Sequence, residues 1–326
     1  MHTFGGRTVA LGGFLMGALA LGCGVTEDPA AADEGVDAIT VREGDYNLQS
    51  ANGGGQPYTD LAVIGSRGFL AKGYEGLHVL DLRTMRVTQR LWDDRNRARI
   101  PADALQVIGR NQLLATWQGN RLGDLSDDRQ YLFLNVFNTT SMTVTRTVAI
   151  DLSGTYEGTT GLNQLPNLAT HLDTASNTLW IAFGHLDRPD RIYATEMPRA
   201  SAELRLRALP GVETYNITNP HAIAVSGQRV YVPSSSDGLR VLNLDTGRQS
   251  VLTQGLGYAL DIAVNGTTGF VADHDGNVRV VNLTTGALLD SRELPGFSDG
   301  IHYSGGQIFA VWRNGVTVIR DRWSRR

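Results

Sequence analysis

Several acidic and imidazole side chains stand at or near the start of short apolar segments that have the composition of β-strands. The five at segment starts are Asp60, Asp103, His221, Asp261 and Asp299. Carboxylate oxygens and imidazole nitrogens are ligands for Ca²⁺ and other divalent ions. Two further histidines, His171 and His302, lie within comparable segments, and an imidazole can act as a general base near neutral pH.

These residues leave two interpretations open. If the strands bring them to the mouth of one channel, Asp60, Asp261 and His221 become candidate metal ligands, and His171 or His302 a candidate base for metal-dependent hydrolysis. No two of them have a local spacing typical of metal ligands, so we favour the alternative, in which they are polar groups that line a water-filled channel. The sequence has no Gly-x-Ser-x-Gly, His-Glu-x-x-His or P-loop motif, so we assign no catalytic residue.

A second group of side chains lies in the long connections of the chain. These connections are residues 93–103, 118–129, 153–167, 184–191 and 211–220. In or beside them stand Trp92, Arg95, Arg97, Arg99, Trp117, Arg121, Tyr156, His185, Arg188, Arg191 and Tyr215. Arg, Trp and Tyr are favoured in binding hot spots, and loops longer than a turn requires often carry recognition. Alternatively, the arginines pair with neighbouring aspartates as exposed ion pairs, which contribute little.

The elements that position both groups are copies of one repeat, a strand, a glycine turn and a second strand. Copies occupy residues 68–82, 230–247 and 270–286, and the last two end in Asn-Leu-x-Thr-Gly. One such unit cannot bury both faces of its own sheet, so the copies must stack. A period of roughly 40–45 residues of strand is typical of a β-propeller blade.

The number of repeats predicts an all-β, six-bladed β-propeller of four-stranded antiparallel blades; seven blades is the alternative. The expected innermost strands are residues 60–64, 104–108, 168–172, 221–225, 260–264 and 300–303. The last unit lacks an outermost strand, whereas residues 38–42 stand alone before the first. We expect this early strand to pair with residues 316–318 and close the ring, which removes an exposed edge. The tight turns then lie at one end of the ring and the long connections at the other.

Two blade segments resemble a known repeat. Residues 75–82 (EGLHVLDL) and 237–244 (DGLRVLNL) resemble the LVIVD-type repeat of bacterial surface propellers. Residues 243–247 and 282–286 are similar to the turns of YVTN and quinoprotein-like blades. The resemblance implies the fold over roughly residues 60–320 and says little about function. The tryptophan that quinoprotein blades place after this turn is missing, so we expect no quinone cofactor. A channel ion would make the site similar to that of gluconolactonase-like hydrolases, whose Glu/Asn/Asp ligand set is not recognisable.

The first 22 residues have the features of a lipoprotein signal peptide. Arg7 precedes an apolar segment, residues 9–21, and Leu-Ala-Leu-Gly before Cys23 resembles a bacterial lipobox. We expect Cys23 to carry lipid and residues 23–37, which are Ala-rich and acidic, to be a disordered tether to a propeller domain, residues 38–326. The alternative is an ordinary secretory signal with an incidental cysteine. Gly24 stands where an inner-membrane retention signal has aspartate, so we expect the outer membrane.

The composition of the chain restricts the classes of partner that we expect. The chain of 326 residues is 41% hydrophobic and 19% charged, as in soluble globular proteins. Its net charge of −4 does not favour nucleic acid. Because Cys23 is the only cysteine, the mature domain has no thiol for disulfides, metal binding or catalysis.

Two functional hypotheses follow. The first is a non-enzymatic, lipid-anchored propeller of the bacterial envelope that binds a protein or polysaccharide through its long-connection end. The second is a metal-dependent hydrolase or lactonase of Ca²⁺ type, working at the channel mouth.

Overall fold

A computed structural model of the chain describes residues 40–48, 57–93, 98–99, 101–120, 130–153, 168–184, 190–214, 220–234, 238–253 and 255–324. These ranges contain 27 strands and one 3-10 turn, Leu206–Ala208. None of their helical residues forms a segment long and apolar enough to cross a bilayer. The predicted signal peptide, the tether and Cys23 lie outside the described residues.

The strands form six radial sheets, which confirms the six-bladed β-propeller. Strand β1 is Gly44–Asn47. The first blade contains β2 (Asp60–Ile64), β3 (Arg67–Ala71), β4 (Leu77–Asp81) and β5 (Arg86–Arg90). A small hairpin follows, formed by β6 (Trp92–Asp93) and β7 (Ala98–Arg99). The second blade contains β8 (Ala104–Gly109), β9 (Gln112–Asn120), β10 (Gln130–Asn138) and β11 (Thr143–Asp151).

The remaining blades follow in chain order. The third contains β12 (Leu168–Asp173), β13 (Thr178–Phe183), β14 (Asp190–Glu196) and β16 (Gly211–Thr214), with β15 (Ala202–Arg205) between the last two in sequence. The fourth contains β17 (Ala224–Ser226), β18 (Arg229–Ser234), β19 (Gly238–Asn243) and β20 (Gln249–Thr253). The fifth contains β21 (Ala259–Asn265), β22 (Thr268–Asp273), β23 (Asn277–Asn282) and β24 (Leu288–Glu293). The sixth contains β25 (Ser298–Ser304), β26 (Gln307–Trp312) and β27 (Gly315–Arg320).

Side chains of alternate residues pack toward opposite neighbouring blades, because successive residues of a strand point to opposite faces. In the first blade, Leu61 joins a buried cluster with Phe309 of the sixth blade. Its strand neighbour Ala62 joins another cluster that contains Phe137 of the second blade. The hydrophobic core is therefore divided into six clusters, each between two adjacent blades.

The ring closes as expected, but with different residues. Strand β1 pairs antiparallel with β27, from Gly44 opposite Val318 to Asn47 opposite Gly315. The prediction that residues 38–42 form this strand was wrong, because the strand consists of Gly44–Asn47. Val41 instead lies buried ahead of the strand, where the Gln307 side chain accepts from its N–H at 2.8 Å and donates to its carbonyl at 2.7 Å. Tertiary contacts here outweigh the higher strand propensity of residues 38–42.

The second blade has a fifth strand that the sequence did not predict. Strand β15 leaves the third blade and pairs in parallel with β11, from Val148 opposite Ala202 to Asp151 opposite Arg205. The chain then returns, and β16 becomes the outermost strand of the third blade. Residues 211–214, interpreted from the sequence as part of a long connection, are therefore part of the sheet.

The innermost strand of the fourth blade is shorter than predicted. The prediction was residues 221–225, whereas regular pairing begins at Ala224. Pro220 forms an isolated bridge with Ser234. Because proline has no N–H to donate, it interrupts a strand ladder, and His221 consequently lies before the strand instead of within it.

Strand directions define two ends of the ring. The turns between the first and second strands, and between the third and fourth, share one end, which we call the turn face. The turns between the second and third strands share the other end with the connections between blades, and we call this end the loop face. The polar residues that precede the innermost strands also lie at the loop face.

Candidate functional site

Two of the predicted metal ligands bind backbone amides of neighbouring blades. The Asp60 carboxylate accepts hydrogen bonds from the N–H groups of Leu61 and Leu105, both at 2.6 Å, and so joins the first blade to the second. The Asp261 carboxylate accepts from Ile262 and Ile301, both at 2.7 Å, and joins the fifth blade to the sixth. Each carboxylate therefore uses both oxygens in the packing of the inner strands.

Burial makes these two carboxylates harder to ionise. It raises the pKa of Asp261 to about 6, although its two backbone hydrogen bonds oppose the shift. The pKa of Asp60 is also well above its usual range, first because of burial and second because of the charge of Asp261. Loss of hydration disfavours the charged form, and two nearby carboxylates disfavour it further.

The other two aspartates among the candidates have milder shifts. Burial raises the pKa of Asp103, whose carboxylate accepts from the N–H of Gln118 at 3.2 Å. Burial also raises the pKa of Asp299, and the neighbouring His274 acts in the opposite direction. Asp103 and Asp299 therefore have different neighbours and lie beside different connections of the loop face.

The candidate bases are neutral at physiological pH. Burial lowers the pKa of His302, on β25, to about 4. It lowers the pKa of His171, on β12, to about 4 as well, with Asp173 opposing the shift. A base with a pKa that low holds a proton weakly at neutral pH, so neither imidazole is tuned for proton transfer there.

All five candidate metal ligands belong to the described residues. Across the ranges that the structure describes, no group of three or more His, Cys, Asp or Glu side chains is placed to hold a metal ion. Among the candidates, Asp60 and Asp261 each accept a backbone hydrogen bond from the next blade.

One residue of the predicted binding group, Trp117, supports an exposed aromatic ring. Its indole stacks on Phe133 with ring centroids 5.3 Å apart and meets Tyr74 edge-on at 6.0 Å. Trp117 is only 4% exposed, whereas Tyr74 is 59% exposed. At Gly119 a Cβ atom would overlap the Trp117 ring, so glycine lets the indole lie flat on the strand. The surface that a partner would meet at this point is Tyr74.

The rest of that group is described in part or not at all. Arg191 is partly buried on β14. Burial raises the pKa of Tyr193, and the charge of Arg191 and its hydrogen bond to Tyr193 oppose this shift. The backbones of Trp92 and Arg99 pair in the β6–β7 hairpin. The members outside the described residues are Arg95, Arg97, Arg121, Tyr156, His185, Arg188 and Tyr215.

A second set of rings on the loop face was missed by sequence reasoning except for one member, His221. His221 lies 6.0 Å from Tyr258, Tyr258 lies 5.8 Å from His274, and His274 stacks on Phe297 at 4.6 Å between centroids. Tyr258 is 39% exposed and Phe297 is 55% exposed. We call these four side chains the rim strip. A usable sequence signal was the Gly-aromatic pair three to four residues before Asp261 and Gly300, the corresponding positions of two blades.

Comparisons with known proteins inform the fold alone. No model of a known protein family matches the chain, and no curated protein matches it. Among solved structures, hydrazine synthase of Kuenenia stuttgartiensis matches with a TM-score of 0.55 and 12% identity, over 85% of this chain and 99% of that chain. A computationally designed protein, Ika8, matches with a TM-score of 0.42 and 13% identity, over 81% of this chain and 70% of that one. At these identities the first likeness supports the propeller architecture and carries no inference about activity.

Proposed function

We propose that this chain is a lipid-anchored binding or scaffold module of the bacterial cell envelope, which binds a protein or polysaccharide through its loop face. A propeller in general suits a scaffold or binding role. The observation that carries the finer proposal is the exposed Tyr74 ring, held by the buried Trp117 at the end of the ring where the long connections gather. A ring fixed before binding loses little conformational entropy when a partner docks.

Metal-dependent hydrolysis at the channel mouth has less support. Asp60 and Asp261 already accept two backbone hydrogen bonds each, and the described residues place no group of three His, Cys, Asp or Glu side chains where it could hold an ion. His171 and His302, with pKa values of about 4, are poorly matched to general-base catalysis at neutral pH. No observation on the described residues favours this function over binding.

The membrane anchor in this proposal depends on the sequence. An acyl chain on Cys23 would hold the protein at the membrane, because each buried methylene contributes about 0.8 kcal/mol. The acidic residues 23–37 would separate the anchor from the propeller. We place the protein at the outer membrane, and we propose no nucleic-acid partner.

The test is capture of envelope components by the full-length protein in detergent. The loop-face variant replaces four side chains by alanine: Tyr74, Arg97, Arg121 and Arg188. Its matched control replaces three exposed arginines of the turn face, Arg83, Arg110 and Arg248. We expect the control to retain the proteins or polysaccharides captured by the native protein, and the loop-face variant to lose them. Equal capture by all three proteins would reject the loop face as the binding surface.

A further inference from the structure

The rim strip is a continuous row of rings contributed by three separate blades. His221 precedes the inner strand of the fourth blade, Tyr258 and Phe297 lie in the connections that enter the fifth and sixth, and His274 lies in a turn of the fifth. Neighbouring centroids are 4.6 to 6.0 Å apart along the row. Aromatic side chains of this size are usually buried, so a row of them at the surface requires an explanation.

Hydrogen bonds and backbone contacts hold the segments that carry the rim strip. The N–H of His274 donates to the carbonyl of Tyr258 at 2.8 Å, which joins the turn to the connection. The residue before His274 is Asp273, which is fully buried and accepts from Arg279 at 2.8 Å. A Cβ atom at Gly276 would lie 2.9 Å from the carbonyl oxygen of Gly296, so the turn and the next connection touch through their backbones. The rings are therefore preorganised.

One ring face of Phe297 remains available to a ligand. The stack with His274, at 26° between the ring planes, covers one face of Phe297. Because the side chain is still 55% exposed, the opposite face must be open to water. Ser298, the next residue in the chain, is buried at the start of β25. Such a fixed, open ring can pack against the apolar C–H face of a sugar.

Polar groups that suit hydroxyl ligands flank the rings. Asp275 is exposed, and its carboxylate lies beside Gly257, next to Tyr258. Asp299 is partly exposed two residues after Phe297. Carboxylates accept hydrogen bonds from hydroxyl groups, and imidazole nitrogens can donate or accept. The same carboxylates repel anionic groups such as uronates and phosphates.

We propose that the rim strip binds a neutral glycan, with Tyr258 and Phe297 as stacking platforms and Asp275 and Asp299 as hydroxyl acceptors. This inference rests on the proposed function, because it names the partner class of the loop face. The narrow row favours a glycan over a protein, since a stable protein interface covers about 800 Å² on each partner. His274 separates the two platforms, because its ring centroid lies 5.8 Å from that of Tyr258 and 4.6 Å from that of Phe297.

The experiment is affinity electrophoresis of the full-length protein in detergent, through native gels that contain dextran, galactomannan, hydroxyethyl cellulose or alginate. We expect at least one neutral polysaccharide to retard the native protein, and alginate not to. The double variant Tyr258→Ala/Phe297→Ala should bind about ten-fold more weakly, the loss expected when roughly 1.4 kcal/mol of stacking is removed. Phe297→Tyr, which keeps the ring, should bind as the native protein does.

Two control variants test the rim strip independently of the proposed function. Arg83→Ala removes an exposed arginine of the turn face and should leave retardation unchanged. Leu289→Ala removes an exposed apolar side chain of β24 and should do the same. Far-UV circular dichroism and thermal melting must show that the double variant is folded. No retardation by any neutral polysaccharide, equal retardation of the double variant, or retardation by alginate alone would overturn the inference. If the loop-face variant with Tyr74→Ala captured the same partners as the native protein, the proposed function would be rejected. Glycan binding that is lost in the Tyr258→Ala/Phe297→Ala variant would still support this inference.

Discussion

The carboxylate of Asp261 accepts a hydrogen bond from the backbone N–H of Ile301 at 2.7 Å, across the boundary between the fifth and sixth blades. The corresponding bond from Leu105 to Asp60 joins the first and second blades. In the sixth blade the corresponding position is Gly300, where a Cβ atom would lie 2.8 Å from the Cα of Asp60. The inner strands are therefore held by side chain to backbone bonds wherever the repeat places an aspartate there.

Replacing Asp261 by alanine should weaken this junction. Asp261→Ala leaves the amides of Ile262 and Ile301 without their acceptor, and each unsatisfied buried amide costs about 1–3 kcal/mol. We expect the free energy of unfolding, measured by urea titration at pH 5, to fall by about 2–6 kcal/mol, the sum for the two amides. Asp290 is a matched control, since it also accepts from the next residue, Ser291, but is exposed on β24. If Asp290→Ala and Asp261→Ala destabilise equally, the junction contributes nothing.

The stability of the protein should depend on pH through Asp261. Its pKa is about 6 in the folded state and 3.8 in the unfolded chain, so folding favours the protonated carboxyl. The resulting contribution to stability is complete below pH 4 and is lost as the pH rises through 6. Between pH 4 and pH 7 the native protein should therefore lose on the order of 2 kcal/mol more than Asp261→Asn. Parallel stability curves for the two proteins would contradict this pKa.

Closure of the ring should depend on Gln307. Its buried side chain makes two hydrogen bonds to the backbone of Val41. Gln307→Ala should lower the free energy of unfolding by about 1–3 kcal/mol and speed hydrogen exchange in residues 41–48. Gln112 also begins the second strand of its blade, but it is exposed, and Gln112→Ala is the control. Unchanged exchange at residues 41–48 in Gln307→Ala would show that strand pairing alone closes the ring.

The only lysine of the chain should react slowly with amine reagents. Lys72 is 2% exposed, its ammonium lies 2.9 Å from the Glu75 carboxylate, and it sits over the Tyr58 ring at 5.2 Å. We expect acetylation of the peptide that contains Lys72, followed by mass spectrometry, to be slow in the folded protein and fast in guanidinium. Glu75→Ala should accelerate it. Rapid modification of the folded native protein would contradict the burial of this side chain.

Cys23 should determine membrane association. With Cys23→Ala, labelled palmitate should no longer be incorporated, and the protein should move from the detergent-extracted membrane fraction to the soluble envelope fraction. Gly24→Ala, beside the cysteine, is the control and should retain both label and membrane fraction. Palmitate incorporation by Cys23→Ala would show that the lipid is attached elsewhere or that the labelling is nonspecific.

Much of the fold could be predicted from the residues. The short apolar runs in segments such as Asp60–Ile64 and Gln307–Trp312, repeated along the chain with turns between them, were sufficient for six blades and for closure by an N-terminal strand. The register of that strand was not predicted, because Val41 is placed by the distant Gln307. Strand β15 was not predicted either, because its partner β11 belongs to the preceding blade.

The candidate site was much less accessible to such reasoning. Trp117 was identified by residue type, yet it supports Tyr74 from below and is itself buried. Asp60 and Asp261 were identified as ligands, yet they bind amides of the next blade.

By itself, the sequence determined the β-propeller class, because the repeated apolar strand segments and their turns are properties of residues that are neighbours in the chain. Only the tertiary structure decided that His221, Tyr258, His274 and Phe297 form one row and that Asp261 fastens two blades. The physical reason is that ring closure brings the ends of separate sheets together. Contacts across those ends depend on the packing of whole blades, which no local pattern of residues encodes.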